Sequence, residues 1–315
     1  SINVDATGNS VTMSGGTAQS LFGGTVGDTG HATGNSVTMT GGTAGSIYGG
    51  SASAGNASGN SVTINGAAAR VTGWAIGGIN SSGLVENNTV TLVDGDVNSI
   101  TAGQTGSGTS RNNTLVISGG TLLGGEAGTS IGTCLVENNT VRFINGSVET
   151  LTGGTARDGV SRGNVLIMSG GTAKYSSTGG YSDSGTAGGN TIRLINGSVG
   201  LPGGPGDVMG GSSNTGEVLH NEVYMEGGEG HNIYGGRTWN GLSAHNRVVM
   251  TGGTARENVY WGFSLTGSAT DNAVLMSGGT AKNVYGAVTS STGETSGNSV
   301  VIDGPNARVT EWVMG

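Results

Sequence analysis

Polar and apolar residues alternate in a short segment that recurs twelve times along the chain. Each copy begins with an asparagine, and the residues two and four positions later are apolar, as in Asn9, Val11 and Met13. Alternation of this kind places the apolar side chains on one face of a half-buried strand. All 24 of these positions are apolar, although hydrophobic residues make up only 33% of the chain. The pattern therefore predicts twelve equivalent strands that share one core.

The spacing of these segments predicts how the strands are arranged. The asparagines recur every 25 or 26 residues, with longer intervals of 28 before Asn88 and 31 before Asn221. Periods of this length are typical of solenoids. A glycine turn, a second strand with its own apolar positions (Leu21, Ile47) and a weaker third strand complete each period. We therefore expect an all-β chain that forms one parallel β-helix over residues 1–315, with about twelve rungs of three short strands, stacked ~4.8 Å apart.

Two sets of polar residues are expected to stack along this helix. The first is the repeated asparagine, whose amide groups can bond to one another as identical residues do in cross-β ladders. Its members are Asn9, Asn35, Asn60, Asn88, Asn113, Asn139, Asn164, Asn190, Asn221, Asn246, Asn272 and Asn298. The second is a charge ladder two residues before the asparagine, formed by Glu86, Arg111, Glu137 and Arg162. Exposed pairs contribute only ~0–1 kcal/mol each, so this ladder would fix register more than stability.

Composition restricts the partners and cofactors. The formal charge of −8 and the 12 basic residues argue against nucleic acid or an anionic membrane as partner. Cys134 is the one cysteine, so neither a disulfide framework nor a thiolate metal site can form within the chain. No segment approaches the ~20 apolar residues of a membrane span. We expect no cofactor and no metal, and because the chain starts and stops within a repeat, we expect a fragment of a longer protein.

Departures from the repeat mark the candidate functional regions. The 31-residue rung contains Pro202 and Pro205, which predicts an enlarged rung over 191–220 with a protruding loop. Beside it, histidine and aromatic residues are concentrated, and such side chains can anchor sugars or protein partners. The candidate surface consists of Tyr224, His231, Tyr234, Trp239, His245, Tyr260 and Trp261. The alternatives are that these rings fill corners of the coil, or that His220, His231 and His245 bind zinc.

Two other functions are considered from the residues. A polysaccharide-degrading enzyme or phage-spike-like depolymerase on a β-helix would need carboxylates gathered on one face, and no column of paired carboxylates recurs. An ice-binding solenoid would need a flat threonine array. The first rungs have one, through residues such as Thr12, Thr38 and Thr63, but Arg142 and Arg193 interrupt it. The similarity of 61–76 to 299–314, which includes Trp74 and Trp312, indicates a longer super-repeat.

The segment Gly34-Asn-Ser-Val-Thr-Met-Thr-Gly-Gly-Thr-Ala-Gly-Ser-Ile-Tyr-Gly-Gly50 resembles the repeats of autotransporter passenger domains. These are adhesin or haemagglutinin-like surface proteins of Gram-negative bacteria. The resemblance implies a right-handed, three-faced β-helix, export through the outer membrane and an extracellular location. It also implies a non-enzymatic stalk or adhesin that binds a glycan or protein on a host or bacterial surface, or associates with itself into fibres. We expect no copy of that family's C-terminal translocator barrel within residues 1–315.

Overall fold

The chain folds into a β-solenoid in which every rung contributes a short, a middle and a long strand. The computed structural model describes residues 4–201, 204–290 and 293–315, and these contain strands and no helix. The predicted all-β fold with about twelve stacked turns is confirmed. The short strands, which directly precede the repeated asparagine, are Ala6–Thr7, Ala32–Thr33, Ala57–Ser58, Leu84–Glu86, Thr109–Arg111, Leu135–Glu137, Val160–Arg162, Thr186–Gly188, Val218–Leu219, Ser243–Ala244, Ala269–Thr270 and Thr295–Ser296.

The middle and long strands carry the core. The separate middle strands are Ser10–Met13, Ser36–Met39, Thr114–Ile117, Thr140–Phe143, Val165–Met168, Thr191–Leu194, Glu222–Met225 and Arg247–Met250. The long strands are Thr17–Val26, Gly42–Ala52, Thr121–Ser130, Ser147–Ala156, Thr172–Ser182 and Thr254–Ser264, with two divided ones at Ser198–Val199 with Asp207–Ser213 and at Glu229–Gly230 with Asn232–Thr238. Middle and long strands merge in Ser61–Asn80, Thr89–Thr105, Ala273–Thr289 and Ser299–Val309, the last followed by Val313–Met314.

All pairings between rungs are parallel and join equivalent residues. Val141 pairs with Leu115 below and with Leu166 above, and all three are fully buried. The short strands form a separate twelve-stranded sheet in chain order. Successive side chains of each middle strand point alternately into the core and away from it. Val248 and Met250, two positions apart, both lie in the shared core. The apolar columns therefore stack into one continuous interior.

The repeated asparagines form an unbroken column, and the ten from Asn35 to Asn272 are buried in this interior. In each of the eleven steps, the Oδ1 atom of one asparagine accepts bonds of 2.9–3.1 Å from the main-chain N and from the Nδ2 atom of the asparagine before it. Nδ2 also donates to a main-chain oxygen, as from Asn113 to Val85 at 3.1 Å. These buried amides are satisfied, which removes the cost of burying them and fixes the register.

A column of glycines makes room for the asparagines. A Cβ atom on Gly128 would lie 2.4 Å from Nδ2 of Asn139, and one on Gly154 would lie 2.6 Å from Cγ of Asn164. The same closeness recurs in ten rungs, at Gly24, Gly50, Gly78, Gly103, Gly128, Gly154, Gly180, Gly211, Gly236 and Gly262. Ten of the twelve ladder asparagines, from Asn35 to Asn272, therefore face a glycine of the preceding long strand, and in the last rung Ala287 takes the equivalent position.

The residue before each ladder asparagine adopts a left-handed backbone. Its φ lies between 54° and 68° in all twelve rungs, and six of the residues are glycines. The others are Asn87, Asn112, Asn138, His220, His245 and Asp271. Asparagine, aspartate and histidine are the non-glycine residues most often found in this conformation. The corner geometry therefore explains the repeated Asn-Asn pairs.

The enlarged rung keeps its core and places its extra residues in one loop. Ala173 pairs with Val199 and Ser176 with Asp207, so seven residues separate the paired positions in this rung where two separate them in the preceding rung. Pro202 and Gly203, which belong to the predicted loop, lie outside the described residues. Arg256, two rungs further on, donates to the carbonyls of Leu201 at 2.8 Å and Val199 at 3.0 Å. This arginine ties the loop to the wall of the solenoid.

Candidate functional site

The predicted histidine and aromatic surface is divided among several parts of the rung. Tyr224 lies on the outer face of a middle strand, where its hydroxyl donates to Glu222 at 2.9 Å. His245 occupies the left-handed corner and stacks on His220, with ring centroids 4.8 Å apart. His231 lies beside the enlarged rung, where its N–H donates to Gly206 O at 2.9 Å. The seven residues therefore do not form one surface.

Trp261 is the clearest correction to that prediction, because its side chain is 0% exposed and lies in the core. Its neighbours along the strand, Tyr260 and Phe263, point outward, while Gly262 faces the ladder residue Asn272. Two consecutive residues thus point inward at this corner, so simple alternation fails. A surface role for Trp261 is excluded by its burial.

The remaining rings gather at the bend of the long strand, a surface we call the aromatic corner: Asp207, Met209, Tyr234, Arg237, Trp239, Tyr260, Phe263 and Tyr285. Tyr234, Tyr260 and Tyr285 occupy one column and stack face to face, with centroid distances of 4.9 and 5.2 Å. Phe263 meets Tyr260 edge-on at 5.8 Å across the bend. The outward side chains on either side of the bend therefore converge.

Arg237 organises the corner electrostatically. Its Nη1 atom lies 3.2 Å from Oδ2 of Asp207, and its guanidinium lies 4.7 Å from the centre of the Trp239 ring. Cation–π contacts of this kind are worth ~0.5–2 kcal/mol. Burial, aided by the charge of Asp207, raises the pKa of the Tyr234 hydroxyl above its usual range. The corner therefore combines the neutral phenol of Tyr234 with one paired arginine. The indole of Trp239 beside them is 44% exposed.

The sequence pattern did not identify Asp207, Met209, Arg237 and Tyr285 as members of this surface. The pairing register between rungs would have identified the members of the tyrosine column. Equivalent positions in four successive rungs are occupied by Met209, Tyr234, Tyr260 and Tyr285. The same register produces a second, outer amide ladder from Asp207 through Asn232 and Asn258 to Asn283, with each step 3.0 Å long. This ladder supports the strand that carries the tyrosines.

A single carboxyl stands out elsewhere in the tyrosine column. Glu126 is equivalent to Thr101 and Thr152 in the adjacent rungs, and Oε1 accepts a bond of 3.1 Å from Thr155. Burial raises the pKa of Glu126, against the opposing effect of hydrogen bonds from Thr155 and Thr129. The carboxyl is therefore more readily protonated than an exposed glutamate.

The charge ladder has the predicted order but divides into two pairs. Arg111 is adjacent to both Glu86 and Glu137 in register. Arg111 pairs with Glu86 at 2.9 Å and Arg162 pairs with Glu137 at 2.8 Å. Among the described residues no ion pair joins Arg111 to Glu137. Ion pairs therefore support the register at two of the three steps between these four side chains.

Comparisons of the chain with protein-family models, with curated proteins and with solved structures give no match. The resemblance to autotransporter passenger repeats thus stays an expectation. In the described ranges no helix could cross a membrane. Within the same ranges, no three His, Cys, Asp or Glu side chains are arranged to hold a metal ion, and His231 lies apart from the stacked pair.

Proposed function

We propose that this chain is a structural and adhesive segment, a stiff solenoid whose aromatic corner attaches it to a protein on another surface. The main support for this proposal is the exposed ring of Trp239, which the guanidinium of Arg237 contacts. The solenoid beneath it has its register fixed by an unbroken asparagine ladder. Tryptophan, tyrosine and arginine are the residue types that dominate binding energy in protein interfaces. The tyrosine faces cover one another, so the corner offers ring edges and hydroxyls and suits a protein partner.

The location that fits this role is outside the cell, as for the autotransporter passenger domains that the repeats resemble. Hydrogen bonds and a continuous apolar interior join the rungs, and the chain has one cysteine and few charges. Its rungs can also form one after another, because each contacts mainly its neighbours. These properties support export followed by folding at the surface.

Adhesion is tested by coating beads with the chain and counting those retained on cultured epithelial cells and on Gram-negative bacterial cells. We expect Trp239→Ala and Arg237→Met to reduce retention at least tenfold, while Tyr224→Ala, on another face, leaves retention unchanged. Treating the cells with a protease should abolish retention of the unaltered chain. Equal retention of all variants, or no retention on either cell type, would refute the adhesive role.

Polysaccharide degradation is the second candidate, because Glu126 has a raised pKa and lies in the same column as the corner tyrosines. A raised pKa lets a carboxyl keep its proton to higher pH than an exposed glutamate does, as a general acid requires. The assay is release of new reducing ends from a panel of polysaccharides. Turnover that disappears in Glu126→Gln would replace the adhesive proposal with an enzymatic one.

A further inference from the structure

A polar cleft lies away from the aromatic corner, on the outer surface of five successive rungs. It has a volume of about 350 Å³, and its lining includes Arg70, Asp96, Thr121, Leu123, Ser147 and Lys174. These residues belong to the rungs that begin at Asn60, Asn88, Asn113, Asn139 and Asn164, so the cleft runs along the axis of the rod. Four rung spacings give it a length of about 19 Å.

Bulged rungs mark the two ends of this cleft. The pairing register shifts at two places. Residues 72–73 lie opposite the single residue Asn98, and residues 174–175 lie opposite the single residue Glu149. A bulge changes the direction of nearby side chains and is common next to binding sites. Each bulge is accompanied by an aromatic ring directed to solvent, with Trp74 55% exposed and Tyr175 49% exposed. The rungs between them follow regular pairing.

Both rings are about half exposed, in contrast to the corner tyrosines, whose faces cover one another. Within the described part of the chain, neither Trp74 nor Tyr175 stacks on another ring. Trp74 has Ser46 and Ser99 as its neighbours in adjacent rungs, and these small residues leave the indole uncovered. A free ring face is what the apolar side of a sugar packs against.

Charges in and beside the cleft are balanced. Arg70 pairs with Asp96 of the next rung. Lys174 lies in the bulge opposite Glu149. Asp96 accepts a hydrogen bond from the Thr121 hydroxyl. Together with Asn98, Ser147 and Leu123, the lining offers donors, acceptors and an apolar centre. Such a set matches a ligand rich in hydroxyl groups without net charge.

We propose that this cleft binds a neutral oligosaccharide of about four hexose units, with sugar rings stacked on Trp74 and Tyr175 and hydroxyl groups bonded to the polar lining between them. A hexose contributes about 5 Å of extended chain, so four units extend over about 20 Å, which matches the length of the cleft. This site is separate from the aromatic corner, and neither proposal depends on the other.

Isothermal titration calorimetry with cellotetraose, maltotetraose and chitotetraose tests the proposal. We expect at least one of these neutral tetramers to bind, and its dimer to bind at least tenfold more weakly, because a dimer reaches only one ring. Trp74→Ala and Tyr175→Ala should each weaken the tetramer at least tenfold. The matched control is Trp312→Ala, since Trp312 is 62% exposed in the corresponding position of the super-repeat, outside this cleft.

Trp239→Ala should also leave the tetramer affinity unchanged, which separates failure of this site from failure of the aromatic corner. Circular dichroism of each variant verifies that the solenoid is folded. Absence of binding by all three tetramers would overturn the proposal. Binding only of acidic oligomers such as tetramannuronate, or equal losses in Trp74→Ala and Trp312→Ala, would overturn it as well.

Discussion

At the scale of single residues, backbone geometry decides positions that side-chain chemistry alone would misassign. His220 and His245 look like ligand residues in the sequence, but both occupy the left-handed corner with φ of 55°. Asn87, Asn112 and Asn138 hold that corner in earlier rungs and glycine holds it in others. The histidines therefore belong to a structural column, which a sequence without assigned φ values does not reveal.

Replacing His245 tests this explanation. A β-branched residue is strongly disfavoured at positive φ, so His245→Val should lower the free energy of unfolding by about 1–2 kcal/mol. His245→Asn, which suits the same conformation, should leave it within about 0.5 kcal/mol of the original. Urea unfolding followed by circular dichroism measures both. A His245→Asn variant as unstable as His245→Val would show that the imidazole itself matters.

The glycines opposite the ladder offer a second residue-scale test. Gly128→Ala places a Cβ atom 2.4 Å from Nδ2 of Asn139, and that asparagine cannot shift without breaking its bonds to Asn113 and Asn164. We expect a loss of about 1–3 kcal/mol in unfolding free energy. Gly124→Ala in the same strand is the control, because its Cβ atom would find only Thr150 Oγ1 at 3.8 Å. Equal stabilities of the two variants would contradict the assignment.

At the scale of elements, the middle strand was predictable and the long strand only in part. Simple alternation holds from Asn139 to Phe143, so the inward positions follow directly from the sequence. In the long strand, Trp261 and Gly262 both face inward, and the pattern around them shifts by one position. The bend depends on contacts with the ladder of the next rung. These contacts leave no local pattern in the sequence. The sequence therefore predicts a surface position for Trp261, although the side chain is buried.

The loop of the enlarged rung also depends on a distant element. Arg256 donates to the carbonyls of Val199 and Leu201 from two rungs away. Arg256→Met should therefore speed amide hydrogen exchange at Gly200, Leu201, Gly204 and Gly206 about tenfold while leaving the neighbouring strands protected. Arg142→Met is the control, because Arg142 is exposed and forms no ion pair among the described residues. An unchanged exchange rate in the Arg256 variant would show that the loop keeps its conformation without this arginine.

At the scale of the whole molecule, one register explains the core, the ladders and both candidate binding surfaces. The eleven intervals between the repeated asparagines were sufficient to predict the stacking order, because each rung repeats the same inward positions. The aromatic corner and the polar cleft could not be located in this way. Both arise where residues far apart in the chain, such as Arg70 and Lys174 or Asp207 and Tyr285, are brought to one face by the stacking.

Distances between spin labels along one outer column test this register most directly. Thr38, Arg142, Tyr224 and Leu275 occupy equivalent positions in rungs two, six, nine and eleven. Electron–electron double resonance between a label at position 38 and one at 142, 224 or 275 should give about 19, 34 and 43 Å, in proportion to the number of rungs. Distances that do not increase with rung number would contradict the account.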